Sequence, residues 1–457
     1  MRRESIAIIG LSLILNLSSP LLAEHNSLSL AIEQTLKARI SRELNQGVVV
    51  AVVSQDGIHY YSAGTYREGD ERSINEKTIF EIGSVTKVFT NLLTAEMVDR
   101  GEISLYDSID KHLPASVNPP EMNGDKISLF HLATYLSGLP TRPYNLRPAD
   151  QRNPYADYTV DQLYAFLNNY ELKKTPGTTY EYSNFSVGLL GHILSLVNND
   201  SYENILKERI LSKLGMDETS VKLSETQRYH LARGHDGIDQ MPQWEMPALP
   251  GAGALHSSAH DLAIFIQSQL GLVPSSLFTI MKGTQRPLAD TQLPKHVISL
   301  GWHVRMTKNN SAIHWHSAMT AGHACFIGFS EAEKTGVVVL SNSATSLDDI
   351  GFFVLDPQNN SLRPFREIIE LDSNQLKSYI GVYNFDKDNS LIISKQGEKL
   401  YGQLVGNLHH RIHPIGEDTF SYDVLNATIT FKKDARGKVS RLEFTQGDSM
   451  QVAIKAN

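Results

Sequence analysis

The spacing of apolar residues changes along the chain, and each change predicts a different element. Leu28, Leu30, Ile32, Leu36 and Ile40 fall on a helical stripe, which predicts an amphipathic helix from Ser27 to about Arg42. The β-branched run Val48 to Val53, the turn Gln55-Asp56-Gly57 and the resumed pattern Ile58-His59-Tyr60-Tyr61 predict a hairpin. Helical spacing dominates residues 84–214, broken by proline-rich pieces at 114–120 and 140–154. Ser258-Ala259-His260-Asp261 is a capped helix start, continued by Leu262, Ile264, Phe265 and Ile266. Strand patterns return at Ile313–His316, Ala324–Phe329 and Val337–Asn342. Strands at both ends with helices between them predict an α+β domain: an antiparallel sheet built from both ends of the segment, flanked by helices and carrying a helical insertion.

Beyond residue 355 the texture shifts. Residues 356–371, opening on Asp356-Pro357-Gln358-Asn359-Asn360, read as a linker. Residues 372–457 carry short alternating runs, among them Leu391–Lys395, Leu400–Leu404, Thr428–Phe431, Val439–Phe444 and Gln451–Ile454, with a turn at Asp434-Ala435-Arg436-Gly437. They predict a small all-β barrel. At the other end, Met1-Arg2-Arg3 precedes an apolar run from Ile6 to Leu17, then Ser18-Ser19-Pro20 and the small residue Ala23. That order is a secretory leader, residues 1–23, too short for a bilayer span of about 20 residues. The expected location is therefore periplasmic or secreted, with no stable membrane span once the leader is removed. The predicted domain from 24 to 355 would carry the chemistry.

The chain has 457 residues, more than the roughly 250–300 that one core usually organises, which fits two folded units. Its formal charge is −8 and no basic block occurs, so nothing suits a nucleic-acid partner. Cys325 is the single cysteine, which excludes an intramolecular disulfide and a zinc–cysteine cluster.

Three short motifs offer chemistry. In Phe80-Glu81-Ile82-Gly83-Ser84-Val85-Thr86-Lys87, Ser84 and Lys87 stand one helical turn apart at a helix start. Backbone N–H groups there favour a developing oxyanion, and a buried lysine is pushed toward the neutral amine that could accept the serine proton. In Tyr180-Glu181-Tyr182-Ser183-Asn184, Tyr182 can relay a proton and Asn184 can offer one donor and one acceptor to an amide. In His314-Trp315-His316-Ser317-Ala318-Met319, the two histidines share one face of a strand, but a metal site lacks a third ligand in sequence. His409, His410 and His413 are expected to be solvated surface residues.

Taken in order, Ser84-x-x-Lys87, Tyr182-Ser183-Asn184 and His316-Ser317-Ala318 resemble the signature of the penicillin-recognising serine hydrolases. The Tyr-x-Asn form is similar to class C β-lactamases, D-alanyl-D-alanine carboxypeptidases and related esterases. Ser128–Pro140 and Gly251–Asp261 are similar too, and the resemblance covers about residues 30–345. The tail resembles the lipocalin-like domain attached to some of these hydrolases. The resemblance implies a β-lactamase/DD-peptidase fold and a serine hydrolase acting on β-lactams, D-alanyl peptides or other small or peptidoglycan-type substrates. An esterase, or a catalytically weak penicillin-recognising binding protein, is the alternative. It further implies Ser84 as nucleophile, Lys87 and Tyr182 sharing the proton work, Asn184, His316 and Ser317 at the substrate, and the backbone N–H groups of Ser84 and Met319 as oxyanion hole. It implies no metal and no cofactor. Two departures argue against efficient β-lactam turnover. His316 stands where many β-lactamases have lysine, and Ala318 stands where glycine is usual, so its methyl is expected to crowd the gap between strand and helix.

Overall fold

The computed structural model describes residues 20–456 apart from Asn407, with side chains from Ser27 onward. Residues 1–19 of the predicted leader lie outside the described residues. Helix α1, Pro20–Ser41, runs across the predicted cleavage point after Ala23. Among the described residues no helix is long and apolar enough to cross a membrane.

The first unit is built on an eight-stranded antiparallel sheet. Its strands are β1 (Gly47–Ser54), β2 (Gly57–Gly64), β3 (Ala289–Asp290), β4 (His296–Ile298), β5 (His303–Met306), β6 (Ala312–Met319), β7 (Ala324–Ser330) and β8 (Thr335–Ser341). Their order is β2-β1-β8-β7-β6-β5-β4-β3. Val50 opposite Val339 joins the two ends of the unit at the middle of the sheet, as the strand-rich flanks predict. β1, β7 and β8 are buried on both faces, which is why they read as continuous apolar runs.

Helices cover both faces. On one face α2 (Thr86–Asp99), α3 (Asn184–Asn198) and α4 (Ala259–Leu270) share a core with Phe89, Leu93, Phe265, Trp302 and Phe329. On the other, α1 and α5 (Asp348–Leu355) pack Ile32, Leu36 and Ile350 on Val50, Phe326 and Val339. The helix expected to open at Ser84 does so through a 3₁₀ turn, Gly83–Val85, that leads into α2.

The tail is a closed eight-stranded antiparallel barrel, each strand paired with its sequence neighbour and the last, Ser449–Lys455, returning to the first, Gly381–Asn384. Its interior is filled by Tyr379, Tyr383, Phe420, Tyr422, Phe431 and Leu442. The barrel sits against the loop after α1. Arg42 Nε lies 2.6 Å from Asp423 Oδ2 and its NH2 donates to Ser421, while Glu43 binds Lys399 and Arg411. His410 pairs with Asp236. The expectation of solvated histidines fails at His413, which is fully buried, with Nε2 2.8 Å from the Arg42 carbonyl. It lies on a strand that the charged, proline-containing stretch His410–Gly416 conceals in sequence.

Candidate functional site

The three motifs converge. Ser84, Tyr182, His316, Ser317 and Met319 line one cleft of about 410 Å³. Lys87 reaches Ser84 from inside the domain, and Asn184 stands one helix start away.

Helix α2 sets the first pair. It is buried on nearly every side, including the polar residues Thr86, Thr90, Asn91 and Thr94, and it takes Lys87 with it, fully buried. Lys87 Nζ lies 2.8 Å from Ser84 Oγ and donates to the Ala252 carbonyl at 2.7 Å. No carboxylate pairs with it among the described residues. Burial therefore pushes its pKa well below that of an ordinary lysine, because nothing repays the desolvation of an ammonium. Ala252 belongs to the 251–261 stretch whose resemblance was noted in sequence. Its role as acceptor is carried by the backbone, which no motif displays.

Tyr182 approaches from the loop before α3. Its ring lies 5.0 Å from Lys87 Nζ and 4.8 Å from the ring of Tyr135. Burial raises the phenol's pKa far above its ordinary value, and a hydrogen bond with Ser84 opposes this only in part. The 128–140 stretch holds this loop in place. The Pro140 carbonyl accepts from Ser183 Oγ at 2.7 Å, and the Ser137 and Ser186 hydroxyls are 2.8 Å apart. Ser183 also caps α3 by accepting from Ser186 N–H at 2.9 Å. Asn184 follows immediately. Its Nδ2 donates to Tyr155 at 3.1 Å, and its buried Oδ1 has no partner.

Strand β6 supplies the third wall. Period-two alternation puts His314, His316 and Ala318 on one face and Trp315, Ser317 and Met319 on the other. The two histidines bind different carbonyls: His314 Nε2 lies 2.9 Å from that of Gln285, and His316 Nδ1 lies 2.8 Å from that of Ser317. They do not form a metal pair. Among the described residues one group of potential ligand atoms does gather, from Glu218, His260 and Asp261, and none of these lines the cleft. Burial, aided by His303 and Lys87, pushes the His316 pKa well below its usual value, so the ring is neutral. Its Nε2 is buried without a partner.

The close approach expected at Ala318 is real, and it is accommodated from the other side. Gly83, at φ +47°, faces it, and a methyl built on Gly83 would come 3.3 Å from Ala318 Cβ and 3.1 Å from Thr320 Cγ2. Behind this contact Glu81 accepts from Trp244 N–H at 2.9 Å, and its other oxygen lies 3.6 Å from His323 Nδ1. Both side chains are buried, and the pair ties the strand before Ser84 to the turn after Met319.

Sequence reasoning missed six cleft residues: His303, Trp315, Cys325, Ser346, Leu347 and Asp348. Trp315 stood inside a recognised motif but on the face opposite His316. His303 opens β5, an inner strand of only four residues that is too short to show alternation, and Asp348 lies at the start of a helix whose sequence carries no sign of its neighbours.

A family model described as Beta-lactamase matches residues 32–351, and one described as Domain of unknown function (DUF3471) matches residues 366–455. The chain is 25% identical over 351 residues to a protein named Beta-lactamase from Pseudomonas fluorescens, covering 68% of this chain and 92% of that one. It is 28% identical over 224 residues to the D-alanyl-D-alanine-carboxypeptidase/endopeptidase AmpH of Escherichia coli (strain K12), covering 49% of this chain and 57% of that one. A solved structure of a beta-lactamase/D-alanine carboxypeptidase from Pseudomonas syringae superposes with a TM-score of 0.64 at 20% identity, covering 72% of this chain and 98% of that one.

Proposed function

From the premise that the chain belongs to the Beta-lactamase family, we propose that it is an exported serine hydrolase working through an acyl-enzyme on Ser84. The observation that carries this reading is a buried, unpaired Lys87 with Nζ 2.8 Å from Ser84 Oγ. In the uncharged form that burial favours, its lone pair takes the serine proton as Oγ attacks a carbonyl. Tyr182, held protonated by burial, donates to the leaving group and is restored from Lys87. The backbone N–H groups of Ser84 and Met319 bind the oxyanion, each such donor being worth about 10²–10³ in rate. Asn184 Oδ1, lacking a partner, accepts from an amide on the acyl side. Water then repeats the sequence to release the acid.

The names of the relatives suggest β-lactams and D-alanyl peptides as substrates. Both carry a carboxylate, and one observation favours the second reading, an esterase. The cleft lining holds no lysine or arginine, burial disfavours the charged form of Lys87 behind it, and burial keeps His316 neutral. A panel of nitrocefin, a D-alanyl-D-alanine peptide and a short-chain nitrophenyl ester, run on wild type and Ser84→Ala, tests both parts. Turnover that needs Ser84 is the expected result, with kcat/KM highest on the ester. Equal turnover by Ser84→Ala would overturn the mechanism, and a preference for nitrocefin would overturn the esterase reading.

A further inference from the structure

We propose that Asp348 makes this cleft select substrates bearing an ammonium group on the leaving-group side, in esters or amides cleaved by Ser84. The inference rests on the acyl-enzyme reading and extends it to the substrate's charge. Asp348 lines the same cleft as Ser84, Tyr182 and Ser317. It is half-buried, at the first position of α5. No lysine, arginine or histidine forms an ion pair with it among the described residues. The adjacent carboxylate, Asp349, is already engaged by Arg39 and the Arg363 N–H.

Burial and the negative charge of Asp349 raise the Asp348 pKa, and a hydrogen bond with Ser346 only partly offsets them. A cation entering the cleft would supply the missing counter-charge in a site of reduced solvent screening. An anion would meet a carboxylate and no positive partner. A simpler role exists for an acid at this position, because a carboxylate in the first turn favours the helix dipole. That role alone predicts no preference for substrate charge.

The test compares three thioacetates with the same acyl group: cationic acetylthiocholine, neutral S-propyl thioacetate and anionic S-acetylthioglycolate. For wild type we expect the cationic ester to exceed the anionic one in kcat/KM by at least about ten-fold, the effect of one partly screened charge pair. Asp348→Asn should reduce that ratio by about the same factor, and Asp348→Lys should invert it. Tetramethylammonium should inhibit wild-type hydrolysis of the neutral ester competitively, and acetate should not, a readout that needs no variant to fold. Ratios within two-fold of wild type in both variants, or no inhibition by the cation, would overturn the proposal. Labelling of Ser84 by a fluorophosphonate separates the two levels. A labelled enzyme with a flat charge series removes Asp348 alone, and an unlabelled wild type removes the acyl-enzyme reading with it.

Discussion

Substituting Gly83 by alanine probes the closest approach between strand β6 and the nucleophile turn. The new Cβ would lie 3.1 Å from Thr320 Cγ2 and 3.3 Å from Ala318 Cβ, inside ordinary carbon–carbon contact. It would also have to hold φ near +47°. The left-handed backbone costs about 1–2 kcal/mol and the overpacking about 1–3 kcal/mol, so Gly83→Ala should destabilise the protein by about 2–5 kcal/mol. Ser84 is the next residue, and a displacement of about 1 Å at a reacting atom can cost about 10²-fold in rate. Ala318→Gly alone removes one packed methyl and adds strand entropy, about 1–2 kcal/mol, and should not raise activity, because Gly83 already makes room for that methyl. In the double variant the contact with Ala318 Cβ is gone while the 3.1 Å contact with Thr320 Cγ2 and the backbone share remain, so the steric share of the Gly83→Ala penalty should fall by about half. The double-mutant cycle should therefore show a favourable coupling of about 0.5–1.5 kcal/mol, with partial recovery of kcat/KM. Urea denaturation and steady-state kinetics on the four proteins give both numbers. Strict additivity in stability and rate would refute the reasoning, as would a gain in kcat/KM from Ala318→Gly alone.

Three further outcomes follow from buried groups. His323→Ala removes the buried ring 3.6 Å from the Glu81 carboxylate, which keeps its Trp244 N–H, and should cost about 1–3 kcal/mol in urea denaturation, a loss below about 0.5 kcal/mol being contrary. Burial lowers the pKa of His256, His303 and His413 to about 4, so the unfolded chain takes up their protons first as pH falls below about 6.5. Stability from these groups should be complete above that pH and decline toward pH 4, by roughly 3 kcal/mol for a fully buried histidine such as His256, and a melting temperature that is flat from pH 7 to 4.5 would contradict this. A chain ending at Leu371 should stay folded and keep Ser84 reactive, since the three motifs precede it, with a lower melting temperature because Arg42 loses Asp423 and Ser421. An unreactive but folded truncation would show that the barrel completes the site.

Where a physical period is strong, the fold was legible. The Val48–Val53 run is β1, the capped start at Ser258 is the beginning of α4, and the strand-rich flanks do meet in one antiparallel sheet. The ordered motifs also placed Ser84, Tyr182, His316 and Ser317 in a common cleft. What escaped was set by tertiary contact. The last two strands of the sheet, Ala289–Asp290 and His296–Ile298, are too short to show alternation. In the barrel, Thr419–Tyr422 has only four residues, and the strand holding His413 is masked by Pro414 and a register shift beside it. The lowered pKa of Lys87 depends on how completely α2 is enclosed, which the apolar neighbours in sequence only suggested. Asp348 is a polar residue before an apolar run, and nothing local distinguishes it from Asp349, which turns to Arg39 instead.

The central claim is that Ser84 is the acyl-accepting nucleophile and Lys87 its base. Its most direct test is intact-mass and peptide mass spectrometry after brief exposure to a fluorophosphonate, at pH 7, for wild type, Ser84→Ala and Lys87→Ala. The account predicts one adduct on the peptide containing Ser84 in wild type, none in Ser84→Ala, and labelling slowed by at least about 10²-fold in Lys87→Ala, the lower range for a positioned general base. An adduct on Ser84→Ala, or wild-type labelling rates in Lys87→Ala, would contradict it.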